Sequence, residues 1–336
     1  MKIGIYGAGS IGCFIGAHLL RESKEVIFVG REKLQRDILK YGLHISDYKK
    51  NYFHISQDKI KYVTEPSYLY DRDCIIFTMK SGNTIESSKI LKDILKTKSI
   101  IIISFQNGVN NSENISSILN SKKCLGGMVP YNVVYQGEGK FHSGTSGKLL
   151  VEKYEPYSSQ IINEFKNSLD IESNKNLKNI LWGKLIFNLN NVINALSGIP
   201  LKEELSNPIF RKILAATMNE SLDILKKSNI KPASLGKLIP WLAPIILKLP
   251  NFLFFRIASN MIKIDPEARS SMWEDLNLNR KTEFEFINGE IIKLAKSKNL
   301  EAPIQEKLNT LIKEAECNKK GSPCIKAENL YKLLSI

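Results

Sequence analysis

The chain has 336 residues, 43% of them hydrophobic and 24% charged, which is enough for two domains with their own cores and excludes a fibre or a disordered chain. Lysine and arginine (48) outnumber aspartate and glutamate (34), for a net charge of +14. The lysines are scattered through a sequence generally rich in Lys, Ile and Asn, so the surplus reads as compositional. Neither a zinc-finger spacing nor an RNA-binding signature directs it to nucleic acid.

In chain order, "MKIGIYG" is a strand met at the first residue, without the charged leader, apolar segment and cleavage site of a secretory signal. The five cysteines (Cys13, Cys74, Cys124, Cys317, Cys324) are odd in number and contain no CxxC pair, so no disulfide framework or metal site is expected. Both readings fit a reducing, cytoplasmic setting. After the strand comes "GAGSIG", then the helical "IGCFIGAHLLRES" and a second strand, "EVIFVGR".

That strand-turn-helix context gives the GxGxxG spacing its weight as a dinucleotide fingerprint. Gly7 permits the tight turn, Gly9 lets the backbone approach a pyrophosphate, and Gly12 permits close helix packing. The loop Gly7, Ala8, Gly9, Ser10, Ile11 and Gly12 is therefore the expected cofactor cradle, with the helix N-terminus aimed at the phosphates. The second strand runs into Arg31, which suits the 2′-phosphate of NADP; Glu32 beside it is the residue that could reach a bare ribose instead.

Residues 43–64 alternate polar and apolar and read as an antiparallel excursion. The strands "DCIIFTMK" and "SIIISFQNGV", with the amphipathic "NTIESSKILKDILKT" between them, continue a parallel sheet covered by helices. Ligands bind beyond the carboxyl ends of such strands, which brings Lys80 and Asn107 near the cofactor, although each alone would pass for an ordinary loop residue. The stretch 124–152 has Gly-containing turns suited to hairpins and closes this domain.

From about residue 158 the pattern becomes helical throughout, and the expected division is 1–170 and 171–336. "LWGKLIFNLNNVINALSG" (181–198) is apolar enough for a core helix, yet it carries Lys184, Asn188, Asn190, Asn191 and Asn194. Buried without partners such groups cost a few kcal/mol each, so the helix should line a polar cleft, a ligand site or an interface.

Lys184 and Asn188 share a face at i, i+4, and Asn191 falls between them in projection on a regular helix. All four histidines precede residue 143, so Lys184 is the candidate proton donor for a carbonyl reduction, with its pKa drawn toward neutrality by desolvation. In "SSMWEDLNLNRKTEFEFINGE", Ser271, Asp275, Asn279 and Glu283 form a ridge of i+4 steps, and Ser271 with Glu274 reads as a capping box.

The apolar stretch 238–258 is interrupted by Pro240, Pro244, Lys248, Pro250 and Arg256, too often for a spanning helix of about 20 residues. Short packed helices between prolines are expected, with a subunit interface or peripheral membrane contact as alternatives.

With these residues in place, the sequence resembles the ketopantoate reductase (2-dehydropantoate 2-reductase) family. "GAGSIG", Arg31, "TMKSGN", "QNGV", "LWGKLIFN…INALSG" and "SSMWEDLNLNRKTEFEFING" occur in family order across nearly the whole chain. The resemblance implies an N-terminal Rossmann-type doubly wound α/β sheet followed by an all-helical domain, and NADPH reduction of a 2-keto acid substrate, ketopantoate above all, for pantothenate and coenzyme A synthesis.

It further implies Lys184 as general acid, Glu283 as the carboxylate that orients it, Asn107, Asn188 and Ser271 as substrate ligands, and Lys80 beside the cofactor. The second substrate asparagine is assigned to Asn194 by its flanking residues and to Asn191 by regular helical geometry. A related reductase of another branched 2-keto or 3-hydroxy acid, or a non-catalytic NADP sensor, is the competing expectation. A homodimer is an open assembly, and no membrane span is expected.

Overall fold

The structure, a computed structural model, describes residues 1–236, 238–258 and 267–336. Two compact units divide the chain, Met1–Lys178 and Asn179–Ile336. Among the described residues no helix is long and apolar enough to cross a membrane.

In the first unit, β1 (Ile3–Tyr6), α1 (Ser10–Arg21), β2 (Val26–Val29) and α2 (Glu32–Tyr41) form the opening βαβα run. The strands β3 (Leu43–Asp47) and β4 (Tyr52–Ile55) pair as an antiparallel hairpin, whereas β5 (Lys61–Val63) joins β2 in parallel at the edge of the main sheet. The excursion expected over 43–64 is thus only its first part. Next come β6 (Cys74–Phe77), α3 (Thr84–Leu95), β7 (Ile101–Ser104), α4 (Asn111–Leu119) and β8 (Cys124–Met128). The hairpin β9 (Val133–Tyr135) and β10 (Lys140–Ser143) extends the small sheet, and β11 (Leu149–Glu152) returns antiparallel to β8.

Helix α5 (Tyr157–Phe165) leads back to a further strand, β12 (Ile171–Asn174), which pairs with β11. That pairing moves the break from the expected 170/171 to 178/179, because a four-residue strand of mostly polar residues leaves no hydrophobic period to detect.

The main sheet has the order β12-β11-β8-β7-β6-β1-β2-β5. Its central strands read as unbroken apolar runs because both faces are covered. Ile3, Ile5, Cys74, Ile76, Ile101 and Ile103 face one core, while Tyr6, Ile75, Phe77 and Ile102 face the other. The strand order reverses between β1 and β6, so the loops after these strands lie side by side at a topological switch point.

The second unit takes up α6 (Leu177–Asn188) and continues with α7 (Asn190–Ser197), α8 (Leu201–Ser206), α9 (Pro208–Lys227), α10 (Ala243–Leu247), α11 (Asn251–Ala258), α12 (Ser271–Asn277), α13 (Asn288–Ser297), α14 (Pro303–Asn318) and α15 (Ala327–Leu333). Helix α9 packs against α7, α8, α10, α13, α14 and α15. The sequence 181–198 is two helices broken at Leu189, and 270–298 is α12, a 3-10 turn at Phe284–Phe286, and α13. The ridge expected from Ser271 to Glu283 therefore does not exist as one surface: α12 ends at Asn277, and Asn279 takes the left-handed conformation at φ 51°.

Candidate active site

At the switch point the glycine motif has three distinct local reasons. Gly7 has φ 88°, and a Cβ there would lie 2.4 Å from the Met79 backbone nitrogen. A Cβ at Gly12 would meet Thr78 Oγ1 at 2.5 Å and Ile5 at 2.8 Å, so α1 sits directly on the sheet. At Gly9 the nearest atom to an added Cβ is the Gly7 carbonyl oxygen at 3.9 Å, so the position opens outward.

Helix α1 starts at Gly9 without a side-chain cap, which leaves its first-turn amides to a ligand or solvent. This combination of a blocked floor, an open rim and unshielded amides fits a dinucleotide pyrophosphate, and Ala8, Ser10 and Ile11 line the same turn. Beneath it, Thr78 Oγ1 donates to the Gly7 carbonyl at 3.0 Å and the Tyr62 hydroxyl to the Ala8 carbonyl at 2.8 Å.

Arg31 is exposed at the end of β2, where it is the N-cap residue of α2. Its neighbour Glu32 pairs with Arg36 one helical turn on, at 2.5 Å. The acidic side chain thus has a partner along the helix.

The loops after β6 and β7 are bound to each other. Ser81 Oγ and Asn111 Nδ2 both donate to the Asn107 carbonyl, at 2.6 Å each. Gln106, 6% exposed, donates to the Met79 carbonyl at 3.0 Å and to Thr84 Oγ1 at 2.8 Å. Asn107 is consequently held by its own backbone, with its residue half-buried, while Lys80 is exposed on the adjoining loop. Gln106, Ser81, Thr84 and Asn111 escaped the reading of the sequence; the signal was a run of polar residues directly after a buried strand, where backbone must be fixed without a helix or ladder.

In the helical unit, Lys184 lies on α6 with Asn188 one turn on. Gly183 before it is in contact with the loop ahead of α10: a Cβ there would come 2.0 Å from the Ala233 carbonyl oxygen, and Ala233 N–H donates to the Asn179 carbonyl at 2.8 Å. Desolvation pulls the Lys184 ammonium down to about 8, and the charge of Glu283 works in the opposite sense. The structure therefore brings Lys184 and Glu283 into electrostatic contact although 99 positions separate them in the sequence.

The asparagines divide into two groups. Asn190 Nδ2 donates to Glu204 Oε1 at 2.8 Å, while Asn194 Nδ2 and Ser197 Oγ donate to Oε2 at 3.1 and 2.9 Å. Glu204 has no exposed surface, and burial raises its carboxyl to about 7 against the lowering effect of these three donors. Asn194 is also fully buried, donates to the Ile199 carbonyl at 3.0 Å, and accepts from Ser270 N–H at 2.8 Å.

Both ends of its amide are thus engaged within the protein, which favours the alternative, Asn191, as the second substrate asparagine. Asn188 and Asn191 remain half-buried. Glu204 went unnoticed in "LKEELSNP"; the i, i+4, i+7 stripe Asn190, Asn194, Ser197 was the sign that a buried polar partner had to exist.

Helix α12 packs on α7, but its cap is Ser270 rather than Ser271. Ser270 Oγ accepts from Trp273 N–H at 3.2 Å and donates to the Asn191 carbonyl at 3.0 Å. Ser271 is thereby released from the cap role and stands exposed as the first residue of α12. The S-x-x-E spacing pointed to Ser271, and the structure gives the cap to Ser270, whose hydroxyl reaches the Asn191 carbonyl on α7.

Two family profiles match the chain: the one described as ketopantoate reductase PanE/ApbA over residues 3–156, and its C-terminal counterpart over residues 176–316. The 2-dehydropantoate 2-reductase of Pyrococcus abyssi is 28% identical over 322 residues, covering 94% of this chain and 98% of that protein. That of Archaeoglobus fulgidus is 25% identical over 327 residues, covering 94% and 98% respectively. Among solved structures, a PanE/ApbA family ketopantoate reductase from Ralstonia eutropha superimposes with a TM-score of 0.81 at 24% identity, covering 95% of this chain and all (100%) of that one. With both halves matched in order and the α/β and helical units in place, this chain belongs to the ketopantoate reductase family of oxidoreductases.

Proposed function

We propose that the protein reduces a 2-keto acid with NADPH, and that the substrate is 2-dehydropantoate, giving pantoate. The observation that carries this reading is Lys184, an amine near neutrality through burial and kept protonated by Glu283. Such a group can give up its proton at the pH where the enzyme works, which a solvated lysine does poorly.

NADPH, when bound, supplies the hydride. Gly7, Ala8, Gly9, Ser10, Ile11 and Gly12 would hold its pyrophosphate through backbone amides, and Arg31 its 2′-phosphate through paired charge-assisted hydrogen bonds. Lys80 and Asn107 would complete the cofactor side of the site from the loops after β6 and β7.

In the helical unit Lys184 donates its proton to the substrate carbonyl oxygen as that oxygen gains negative charge. Glu283 holds the ammonium in position and favours its reprotonation from solvent after turnover. Asn188 and Asn191 donate hydrogen bonds to the keto acid, and the Ser271 hydroxyl takes its carboxylate.

Oxidation of NADPH followed against a panel of 2-keto acids, ketopantoate included, with NADH in parallel, tests the assignment. The reading requires ketopantoate to give the highest kcat/KM and NADPH to surpass NADH. A preference for another 2-keto acid would move the substrate, and no turnover with any of them would remove the activity.

A further inference from the structure

The two helices α10 and α11 present an outer surface and carry none of the residues proposed for the reductase site. Arg211, 1% exposed, reaches from α9 into the turn between them. Its guanidinium donates to the Leu247 and Leu249 carbonyls at 3.0 and 3.1 Å and to Asn251 Oδ1 at 2.8 Å. Two more bonds reach the Leu205 and Ser206 carbonyls at 3.0 and 3.2 Å, and the group lies 4.3 Å from the centre of the Phe254 ring.

This anchor fixes which side of each helix faces inward: Ala243, Pro244, Leu247, Phe254 and Ala258 are buried. Apart from these the segment is apolar and open, with Trp241 45% and Leu242 44% exposed just ahead of α10, Ile245 61% on it, and Phe252 72%, Phe255 38% and Ile257 54% on α11. Six such side chains held outward by a locked turn form a contiguous stretch of sequence that water covers poorly.

The charge on this stretch has one sign. From Leu238 to Ala258 the charged residues are Lys248 and Arg256, with no Asp or Glu. Lys248 and Arg256, both exposed, stand among the apolar side chains themselves. A two-fold contact of this face with itself would bring no carboxylate of the segment to Lys248 or Arg256. An anionic lipid surface supplies the missing charge together with an apolar layer for Trp, Phe and Ile.

We propose that α10 and α11 dock the protein on an anionic bilayer, with the outer apolar side chains among the headgroups and acyl boundary and with Lys248 and Arg256 on lipid phosphates. The protein lies on the membrane through this face rather than across it.

Co-sedimentation of the full chain with vesicles of phosphatidylcholine alone, or of phosphatidylcholine with phosphatidylglycerol, tests the assignment, with sedimentation equilibrium run on the same preparations. Retention is expected on the phosphatidylglycerol vesicles only, and should fall with salt. Lys248→Gln and Arg256→Gln should each weaken partitioning by about fivefold. Phe252→Ser with Ile257→Ser should abolish retention while the circular dichroism spectrum stays unchanged.

Failure to bind the anionic vesicles, or equal retention on neutral ones, overturns the proposal. A dimer that Phe252→Ser with Ile257→Ser dissociates would assign the face to a second copy and overturn it equally.

Discussion

Asn194 Nδ2 donates to Glu204 Oε2 at 3.1 Å, and neither residue has any exposed surface. Glu204 accounts for three of the polar residues in a helix pair that otherwise belongs to the core: Asn190, Asn194 and Ser197 are the donors a buried carboxylate requires. It also separates residues that hold the fold from those left for a ligand.

Asn194→Ala should therefore act on stability. It removes the hydrogen bonds to Glu204, Ile199 and Ser270 and should cost about 3 kcal/mol, read as a lower Tm. Asn191→Ala, whose side chain is half-buried and whose backbone carbonyl alone accepts from Ser270, should leave Tm nearly unchanged and raise KM by roughly tenfold or more. Denaturation and steady-state kinetics on both variants check this; the reverse pattern would return Asn194 to the substrate.

Glu204 should make the stability of the helical unit depend on pH. Burial lifts its carboxyl from 4.5 to about 7, so between those values the folded chain keeps a proton that the unfolded chain has lost. Stability from this group thus falls as pH rises through the window, by about 3 kcal/mol in total, and recovers as pH falls back through it. Glu204→Gln should flatten the profile, whereas Glu204→Ala should destabilise at every pH by leaving three donors without an acceptor. Chemical denaturation from pH 5 to pH 8 distinguishes these outcomes, and equal slopes for wild type and Glu204→Gln would exclude the carboxyl as their source.

Lys184→Ala should lower kcat by about a hundredfold to ten-thousandfold while NADPH binding, followed by fluorescence, is retained. In the wild type, reduction should slow above about pH 8, where the ammonium loses its proton. Because the charge of Glu283 raises the lysine's proton affinity, Glu283→Gln should shift that limb to lower pH. A limb that stays in place would separate Glu283 from the lysine's titration.

Arg31→Ala should erode the choice of cofactor. Losing charge-assisted bonds to a 2′-phosphate should raise KM for NADPH by about tenfold or more and leave KM for NADH little changed. Parallel titrations with the two cofactors measure it. Equal losses would show that Arg31 supports the loop rather than the phosphate.

What the sequence by itself determined was local or periodic. The glycine spacing after an apolar strand specified a tight turn into a closely packed helix, apolar runs specified strands buried on both faces, and the lysine amid asparagines marked a helix with polar duties. Tertiary packing decided how those duties are shared. Glu204 is drawn under Asn190, Asn194 and Ser197 by the fold of α8 against α9 and α7, a contact with no signature in either segment alone. The same is true of Ser270 over Ser271 as the cap, and of the meeting of Lys184 with Glu283 across 99 positions. Local sequence fixes which groups need partners, since a buried polar atom cannot go without one. Which partner each finds depends on how distant helices pack, and that information is spread over the whole core.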